Sequence, residues 1–273
     1  MPPSRPIAAL RPFVQAVWSH DGAPHAGAHR EHVLPSGAMH LAIRLDAPLR
    51  LYLGSADAHG ERVAMASLAG AHDGFYVKQA DGGRSVGALL RPGAAQALFG
   101  CDADALRGRH VALEDLWRAS DVVRLRERLL ETDAEQRAVL LQQALLAQLR
   151  PIRALHPAIA QAMSDLRRGV RVRESVAGSG LSHRHLLLRF RAATGLSPKE
   201  YARIRRFRRA LSSQSRVPLA DVALDAGYSD QAHLCREFRA LSGLTPRAYR
   251  LTNPEGGLHV PVNFLQEPDD ATR

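Results

Sequence analysis

The sequence of 273 residues has little of several residue types, and each shortage excludes a class of protein. Its two cysteines, Cys101 and Cys235, are too few for a disulfide scaffold or a thiolate zinc cluster. It has no run of about 18 apolar residues, which a membrane-spanning helix needs. Its first residues lack the apolar segment of a secretion signal. These shortages predict a soluble cytoplasmic protein that does not contact membranes.

Lysine is also scarce, because Lys78 and Lys199 are the only two, so arginine carries nearly all of the basic charge. Residues 151–250 contain 19 basic and 7 acidic residues, a net charge of +12, whereas residues 1–150 carry +1 and residues 251–273 carry −3. The planar guanidinium of arginine suits phosphate groups and guanine edges. A genome biased toward arginine would explain arginine in place of lysine on a solvated surface. It would not explain why the excess is confined to one segment, which we therefore expect to bind nucleic acid.

The segment that carries the positive charge also contains an internal repeat. The positions that coincide at an offset of 48 residues are Leu186/Leu234, Phe190/Phe238, Arg191/Arg239, Ala192/Ala240, Gly195/Gly243, Leu196/Leu244, Pro198/Pro246 and Tyr201/Tyr249. So many identities at one offset indicate two copies of one structural unit.

Each copy of the repeat reads as two short helices separated by a turn. In the first copy, Val176 and Ala177 mark the first helix, Ser182 is the predicted N-cap of the second, and Gly195 ends it. The second copy, residues 218–243, has the same order with a turn that is one residue longer. Two short helices joined by a tight turn that contains glycine form a helix-turn-helix, whose second helix fits a DNA major groove.

A long helix is predicted between the two units, over residues 197–216. Tyr201, Ile204, Phe207 or Arg208, and Leu211 form its apolar stripe, and arginines occupy the remaining surface. A helix of about 16 residues is about 24 Å long. With the width of the helices that it joins, it would place the two units about 34 Å apart, which is one turn of duplex. We therefore expect one chain to bind two successive major grooves.

The sequence GYSDQAHLCREFRALSGLTPRAYR, residues 227–250, resembles the signature of the DNA-binding domain of the AraC/XylS family of bacterial transcription regulators. The resemblance covers about residues 155–250. It implies a seven-helix domain with two helix-turn-helix units, and a sequence-specific regulator that contacts promoter DNA and RNA polymerase. The segments LRPFVQAVWSH, HREHVLPSGAMHLAI and VGALLRPGAAQALFGCDADALRGRHVALEDLW resemble a subgroup whose N-terminal domain is sensor-like. That resemblance implies ligand sensing or dimerisation and gives no ligand.

The resemblance also implies which residues contact DNA. Those expected to contact bases are His183, Arg184, Leu187 and Leu188 in the first unit and Gln231, Ala232, His233 and Arg236 in the second. Those expected to contact phosphates are Arg191, Arg239, Arg205 and Arg209. Glutamine suits adenine and arginine suits guanine. Leu188 departs from the family pattern, because leucine has no hydrogen-bonding group, and we expect it to contact a thymine methyl group or to weaken base recognition by the first unit.

For the N-terminal half, the apolar runs between residues 39 and 90 predict a mostly antiparallel barrel or sandwich, followed by two helices within residues 121–149. The predicted fold class is therefore α+β with a C-terminal all-α domain. The predicted domains are 1–150, which is β-rich to residue 100 and helical from 101, then 151–250, and a tail of residues 251–273 that docks on either domain. The leucines of the two helices favour either a homodimer interface or packing against the sheet; they are Leu125, Leu129, Leu141, Leu145 and Leu149.

The competing function is a metal- or cofactor-dependent enzyme domain fused to a DNA-binding module. His25, His29, His32 and His40 are close in sequence, with Glu31 among them. The motif HREH has the spacing His-x-x-His, which is neither the His-x-His of a cupin metal site nor the His-E-x-x-His of a helical zinc site. Polar loop or ligand-pocket histidines are therefore favoured over metal ligands. No phosphate-binding loop, serine nucleophile elbow or Cys–His pair is found, so no cofactor and no catalytic residue are predicted.

Overall fold

Two antiparallel five-stranded sheets form most of the N-terminal half of the chain. The computed structural model describes residues 4–22, 29–52, 59–80, 82–151, 155–212, 217–252 and 258–261. The strands are β1 (Val14–Asp21), β2 (His29–Val33), β3 (Met39–Arg44), β4 (Arg50–Tyr52), β5 (Glu61–Arg62), β6 (Ala66–Ala69), β7 (Tyr76–Ala80), β8 (Arg84–Leu90), β9 (His110–Ala112) and β10 (His259–Pro261). Their order is β1-β8-β3-β6-β9 in one sheet and β10-β2-β7-β4-β5 in the other. The ring of Tyr76 on β7 lies 5.0 Å from that of His110 on β9, so the two sheets face each other.

Alternation along β3 buries one face of the first sheet in the main core. Met39, Leu41 and Ile43 are at most 3% exposed, whereas His40 and Ala42 between them point to the opposite face. Helices α1 (Ala119–Leu130) and α2 (Ala134–Ala147) cover the buried face. The core leucines that these helices contribute are Leu125, Leu129, Leu141 and Leu145. Within one chain, these leucines therefore pack against the sheet, which is one of the two alternatives that the sequence left open.

The sequence predicted the strands between residues 39 and 90 and the fold class, and both are confirmed. It did not predict β1 or β2. The burial pattern of β1 is irregular, because its register with β8 shifts between Val14 and Ala16, so its apolar residues do not alternate. Strand β2 reads HREHV, which has too few apolar residues to show a period of two.

The tail contributes β10, which forms an antiparallel pair with β2 at the edge of the second sheet. The pairing places His259 opposite Val33, and the backbone nitrogen of Leu34 donates to the carbonyl oxygen of Leu258 at 2.8 Å. His259 Nδ1 also lies 3.1 Å from Glu31 Oε2. Leu258 also packs against the core cluster that contains Phe207, Phe238 and Tyr249. Residues 258–261 therefore contact both of the domains that the sequence left open for the tail.

Seven helices form the C-terminal part of the described chain. They are α3 (Pro157–Arg168), α4 (Val172–Ala177), α5 (His183–Thr194), α6 (Pro198–Ser212), α7 (Leu219–Ala226), α8 (Gln231–Ser242) and α9 (Pro246–Thr252). In α6, the buried stripe contains Phe207, which is fully buried, and Arg208 is only partly buried. No helix in the ranges that the structure covers is long and apolar enough to cross a membrane.

The second helices of the two copies of the repeat have the same local structure. The prediction that the second turn is one residue longer is wrong, because five residues separate α4 from α5 and four separate α7 from α8. Helices α5 and α8 each have 12 residues, and Gly195 and Gly243 end them with φ of 76°, a conformation that glycine adopts without steric cost. The hydroxyls of Thr194 and Ser242, one residue earlier, both donate at 2.7 Å to the carbonyl four residues back. The internal repeat read from the sequence is therefore a repeat of structure.

Candidate nucleic-acid interface

Helices α5 and α8 are the second helices of the two helix-turn-helix units, and each begins with a side-chain cap. Ser182 Oγ accepts from the backbone nitrogen of His185 at 3.4 Å, and Asp230 Oδ1 accepts from that of His233 at 2.6 Å. Such caps satisfy backbone donors that a helix start leaves without partners. They fix where each helix begins and therefore which side chains of its first turns are exposed.

On α8, the predicted base-contacting residues lie together on the exposed side. Gln231, Ala232 and Arg236 are exposed, and His233 is half-buried. His233 Nδ1 lies 3.0 Å from Ser229 Oγ, and its ring meets that of Tyr228 edge-on at 5.3 Å. These two contacts hold the imidazole near the start of the helix. The opposite face is fixed by the core residues Leu234 and Phe238, both 0% exposed.

On α5, the corresponding residues share a cleft with the N-terminal domain. His183, Arg184 and Leu188 are exposed and Leu187 is half-buried, and Leu188 is 59% exposed. They line a cleft of about 330 Å³ whose other wall contains Asp102 and Asp104. The two units therefore differ in surroundings as well as in sequence, since acidic side chains face the first recognition helix.

Of the four arginines expected to contact phosphate, Arg191 and Arg239 are exposed at matching positions of α5 and α8. Arg205 and Arg209 lie on α6 and are half-buried. Arg209 donates from Nη1 to the carbonyl oxygen of Arg167 at 3.1 Å and from Nη2 to that of Ala226 at 2.9 Å. Burial, with the charges of Arg205 and Arg206, lowers the pKa of Arg209.

Arg209 thus joins the carboxyl end of α3, the helix that precedes the first helix-turn-helix unit, to the carboxyl end of α7, the first helix of the second unit. A cation at the end of a helix is favoured by the helix dipole. It stands beside a cavity of about 580 Å³ between the units, whose walls include Gly169 and Gly227, the glycines that end these two helices. No sequence pattern predicts this role, because the contact joins residues far apart in the chain.

Ion pairs connect α6 to its neighbours at two further places that the sequence did not predict. Arg203 Nε lies 2.7 Å from Glu237 Oε2 on α8. Arg107 of the N-terminal domain lies 2.7 Å from Glu200 Oε1 at the start of α6. The joining helix is therefore fixed to both the second unit and the N-terminal domain.

The histidines considered as metal ligands have other partners in the structure. His25 and the side chain of His29 lie outside the described residues. His32 Nδ1 lies 2.9 Å from the carbonyl oxygen of Ser242, and His40 Nε2 lies 2.9 Å from Ser36 Oγ. Burial lowers the pKa of His40 to about 4. Among the described residues, no group of three or more histidine, cysteine, aspartate or glutamate side chains is placed to hold a metal ion.

Comparison with known families agrees with this geometry. Residues 176–252 match a helix-turn-helix domain of the AraC type. The chain therefore carries an AraC-type helix-turn-helix domain. Residues 4–112 match a domain of unknown function (DUF6597). A search of curated proteins gave no match.

Solved structures of AraC-family proteins are similar to parts of this one. The DNA-binding domain of AdpA, solved with a target DNA, is 27% identical over 36% of this chain and 95% of its own, with a TM-score of 0.32. The xylose-binding activator XylR is 22% identical over 42% of this chain, with a TM-score of 0.33, and the match spans only 37% of XylR. ToxT from Vibrio cholerae, bound to an unsaturated fatty acid, is 11% identical over 90% of this chain and 96% of its own, with a TM-score of 0.44.

Proposed function

We propose that this protein is an AraC-type transcription regulator that binds a specific promoter sequence by inserting α5 and α8 into two successive major grooves. The supporting observation is that the two helices are equivalent members of a structural repeat, each with a capped start and an exposed face. Helix α6, with 15 residues, is about 22 Å long. With the width of the helices at its ends, this separation suits one turn of duplex.

The proposed contacts divide into base recognition and phosphate binding. His183, Arg184, Leu187 and Leu188 are proposed to face bases in one groove, and Gln231, Ala232, His233 and Arg236 in the other. Gln231 suits adenine and Arg236 suits guanine, each contributing about 1–3 kcal/mol of discrimination. Arg191, Arg239, Arg205 and Arg209 are proposed to contact phosphates, which set affinity and salt dependence. Leu188 offers only apolar contact, so we propose that the second unit carries most of the base recognition.

Control by a small-molecule effector through the N-terminal domain is the second part of the proposal. The N-terminal domain contacts the carboxyl ends of both recognition helices. The backbone nitrogen of Gly93 donates to the carbonyl oxygen of Ala193 on α5 at 2.9 Å, and His32 contacts Ser242 on α8. A change in the N-terminal domain would therefore reach both helices at equivalent points.

We further propose that the protein is a homodimer and that it contacts RNA polymerase at the promoter. Four large apolar side chains on the outer surfaces of α1 and α2 support the dimer. They are Val123, Leu130, Val139 and Leu146, and they are 38–49% exposed. Exposed apolar residues on two neighbouring helices are typical of an interface between subunits. Contact with the polymerase is implied by promoter binding alone.

Footprinting on the DNA that flanks the gene for this protein tests the proposal. Protection of two segments about one helical turn apart, on the same face of the duplex, is the expected result. Binding that depends on salt but not on sequence would contradict the proposal of a specific regulator.

A further inference from the structure

A second cavity lies between the N-terminal domain and the first helix-turn-helix unit, and its volume is about 780 Å³. Its walls from the N-terminal domain are Pro12, Phe13, Pro92, Gly93, Gln96 and Asp102, and those from the helical part are Leu155, His156, Ile159, Arg189, Ala192 and Ala193. Eight of these twelve side chains are apolar or absent. Small-molecule sites have this size, this apolar lining and this position at a domain junction.

The charged groups of the cavity have opposite signs and do not satisfy each other. Arg189 and Asp102 both line it, yet neither is part of an ion pair in the described chain. Asp102 is placed at the start of the short helix Ala103–Leu106 but makes no capping hydrogen bond with its side chain. One carboxylate and one guanidinium, both partly open to solvent, therefore line the same apolar space without an ion-pair partner among the described residues.

His156 adds a hydrogen-bond donor to the cavity. The backbone nitrogen of Ala158 donates to His156 Nδ1 at 3.2 Å, which makes His156 the N-cap of α3. Because Nδ1 accepts, Nε2 is the ring nitrogen that can donate. The cavity thus offers the guanidinium of Arg189 and the Nε2 donor of His156 for a carboxylate, and the carboxylate of Asp102 for an ammonium group.

We propose that this cavity binds a free amino acid with an apolar side chain and is the effector site of the protein. The ligand carboxylate pairs with Arg189, the ammonium group with Asp102, and the side chain packs against Phe13, Leu155 and Ile159. An apolar acid would leave Asp102 facing a like charge, and an apolar amine would do the same to Arg189. The zwitterion is the ligand class that complements both charges and the apolar walls.

The site is placed to affect DNA binding. Arg189, Ala192 and Ala193 belong to α5, so a ligand in the cavity touches the first recognition helix directly. Asp102 lines both this cavity and the cleft beside the base-contacting face of α5. A bound ammonium group would neutralise a carboxylate that lies beside the face of α5 proposed to contact DNA. This coupling depends on the proposed function, whereas binding to the cavity does not.

Isothermal titration calorimetry on the full chain without DNA tests the site. The probes are leucine, phenylalanine and tryptophan, and for phenylalanine two analogues that each lack one charge, 3-phenylpropanoate and phenethylamine. We expect at least one of the three amino acids to bind. Phenylalanine should bind about tenfold more tightly than either analogue, because each charged contact contributes about 1.4 kcal/mol. Failure of all three amino acids to bind, or equal affinity for phenylalanine and its analogues, would overturn the proposal.

Two variants locate the ligand within the cavity. Asp102→Asn should abolish the preference for phenylalanine over 3-phenylpropanoate, and Arg189→Gln should abolish its preference over phenethylamine. Asp104→Asn and Arg173→Gln are the matched controls, because both residues are exposed and lie outside the cavity walls. If the controls change affinity as much as the cavity variants, the ligand binds elsewhere and the proposal is wrong. Footprinting with and without the amino acid then tests its effect on DNA binding. A footprint that the bound amino acid does not change would contradict the effector role. The absence of any footprint would contradict the proposed DNA binding instead.

Discussion

His32 Nδ1 on β2 lies 2.9 Å from the carbonyl oxygen of Ser242, the last residue of the second recognition helix. The imidazole also stacks on Phe75 with ring centroids 4.5 Å apart, and a Cβ added to Gly243 would lie 2.7 Å from Phe75 Cζ. The end of α8, the ring of Phe75 and the imidazole of His32 thus meet where the N-terminal sheets contact the helical part of the chain. Since Gly243 also has a positive φ, no other residue fits there without displacing the ring.

His32→Ala should loosen this contact without touching the DNA-facing side of α8. Burial lowers the pKa of His32 and outweighs the opposite effect of its bond to Ser242, so we expect a neutral ring with Nδ1 as the donor at pH 7. Loss of the hydrogen bond and of the packing should lower the free energy of unfolding by about 1–3 kcal/mol. Hydrogen exchange should show faster opening at the carboxyl end of α8. His20→Ala, at an exposed position of β1, is the control. Unchanged exchange would show that the contact does not hold the two domains together.

Arg236→Ala and Arg239→Ala should separate base recognition from phosphate binding. Both residues are exposed on α8, one on the proposed base-contacting face and one beside it. Arg236→Ala should weaken binding by about 1–3 kcal/mol and relax the preference at one base pair. Arg239→Ala should weaken all sequences alike and reduce the slope of log K against log salt by about 0.9. Selection from a randomised site and salt titrations measure the two effects, and identical results for both variants would contradict the division of roles.

The C-terminal domain could be predicted from the sequence because its signals are local. Caps, turn glycines and apolar spacing act within a few residues, and Gly195 and Gly243 end their helices as the repeat indicated. The contacts that connect the domains and helices join residues far apart in the chain, such as the pairing of β10 with β2 and the bonds of Arg209. No local sequence pattern predicts such contacts. For the same reason the sequence does not reveal the cavity between the domains, whose walls come from five separate stretches of the chain.

Acid should destabilise the fold through histidines between the two sheets. Burial lowers the pKa of His40 to about 4, with smaller contributions from the charges of His259 and Lys78. Burial likewise lowers the pKa of His110 to about 4, with His72 and Lys78 acting in the same direction. Both values lie below the ordinary 6.5, so the unfolded chain takes up protons that the folded chain does not. The free energy of unfolding should therefore be constant above pH 7 and decrease as the pH falls from about 6.5 to 4.

Chemical denaturation at pH 7.5, 6.0 and 5.0 measures this loss. The variant His40→Asn/His110→Asn should have a flatter profile between pH 6.5 and 5, because neither replacement titrates there. Glu31, whose pKa is lowered to about 2 by His259 and Lys78 against the opposing effect of its burial, contributes to the loss only below about pH 4.5. A free energy of unfolding that stays constant from pH 7 to 5 in the wild-type protein would contradict the role of His40 and His110.

Val139→Asp should weaken the proposed dimer. Val139 and Leu146 are seven residues apart on α2, on the same helical face, and are 48% and 41% exposed. A carboxylate at the centre of an apolar interface costs several kcal/mol, so the dissociation constant should rise by at least about tenfold. Light scattering over a range of concentrations measures it. Leu251→Asp is the control, because Leu251 is 78% exposed on α9, away from α2. A wild-type chain that stays monomeric at high concentration would contradict the dimer.

Arg209→Met should show whether Arg209 serves to join α3 to α7 or to contact a DNA phosphate. Methionine keeps much of the apolar stem but cannot donate to the carbonyl oxygens of Arg167 and Ala226. If the bonds orient the units, the free energy of unfolding should fall by about 1–3 kcal/mol, and protection at the two half-sites should become unequal. Arg205→Met is the matched control, because the buried Arg205 Nε makes no hydrogen bond in the described structure. Arg205→Met should change only the salt slope, by about 0.9. If Arg209→Met also changed only the salt slope, with stability intact, Arg209 would act on phosphate alone.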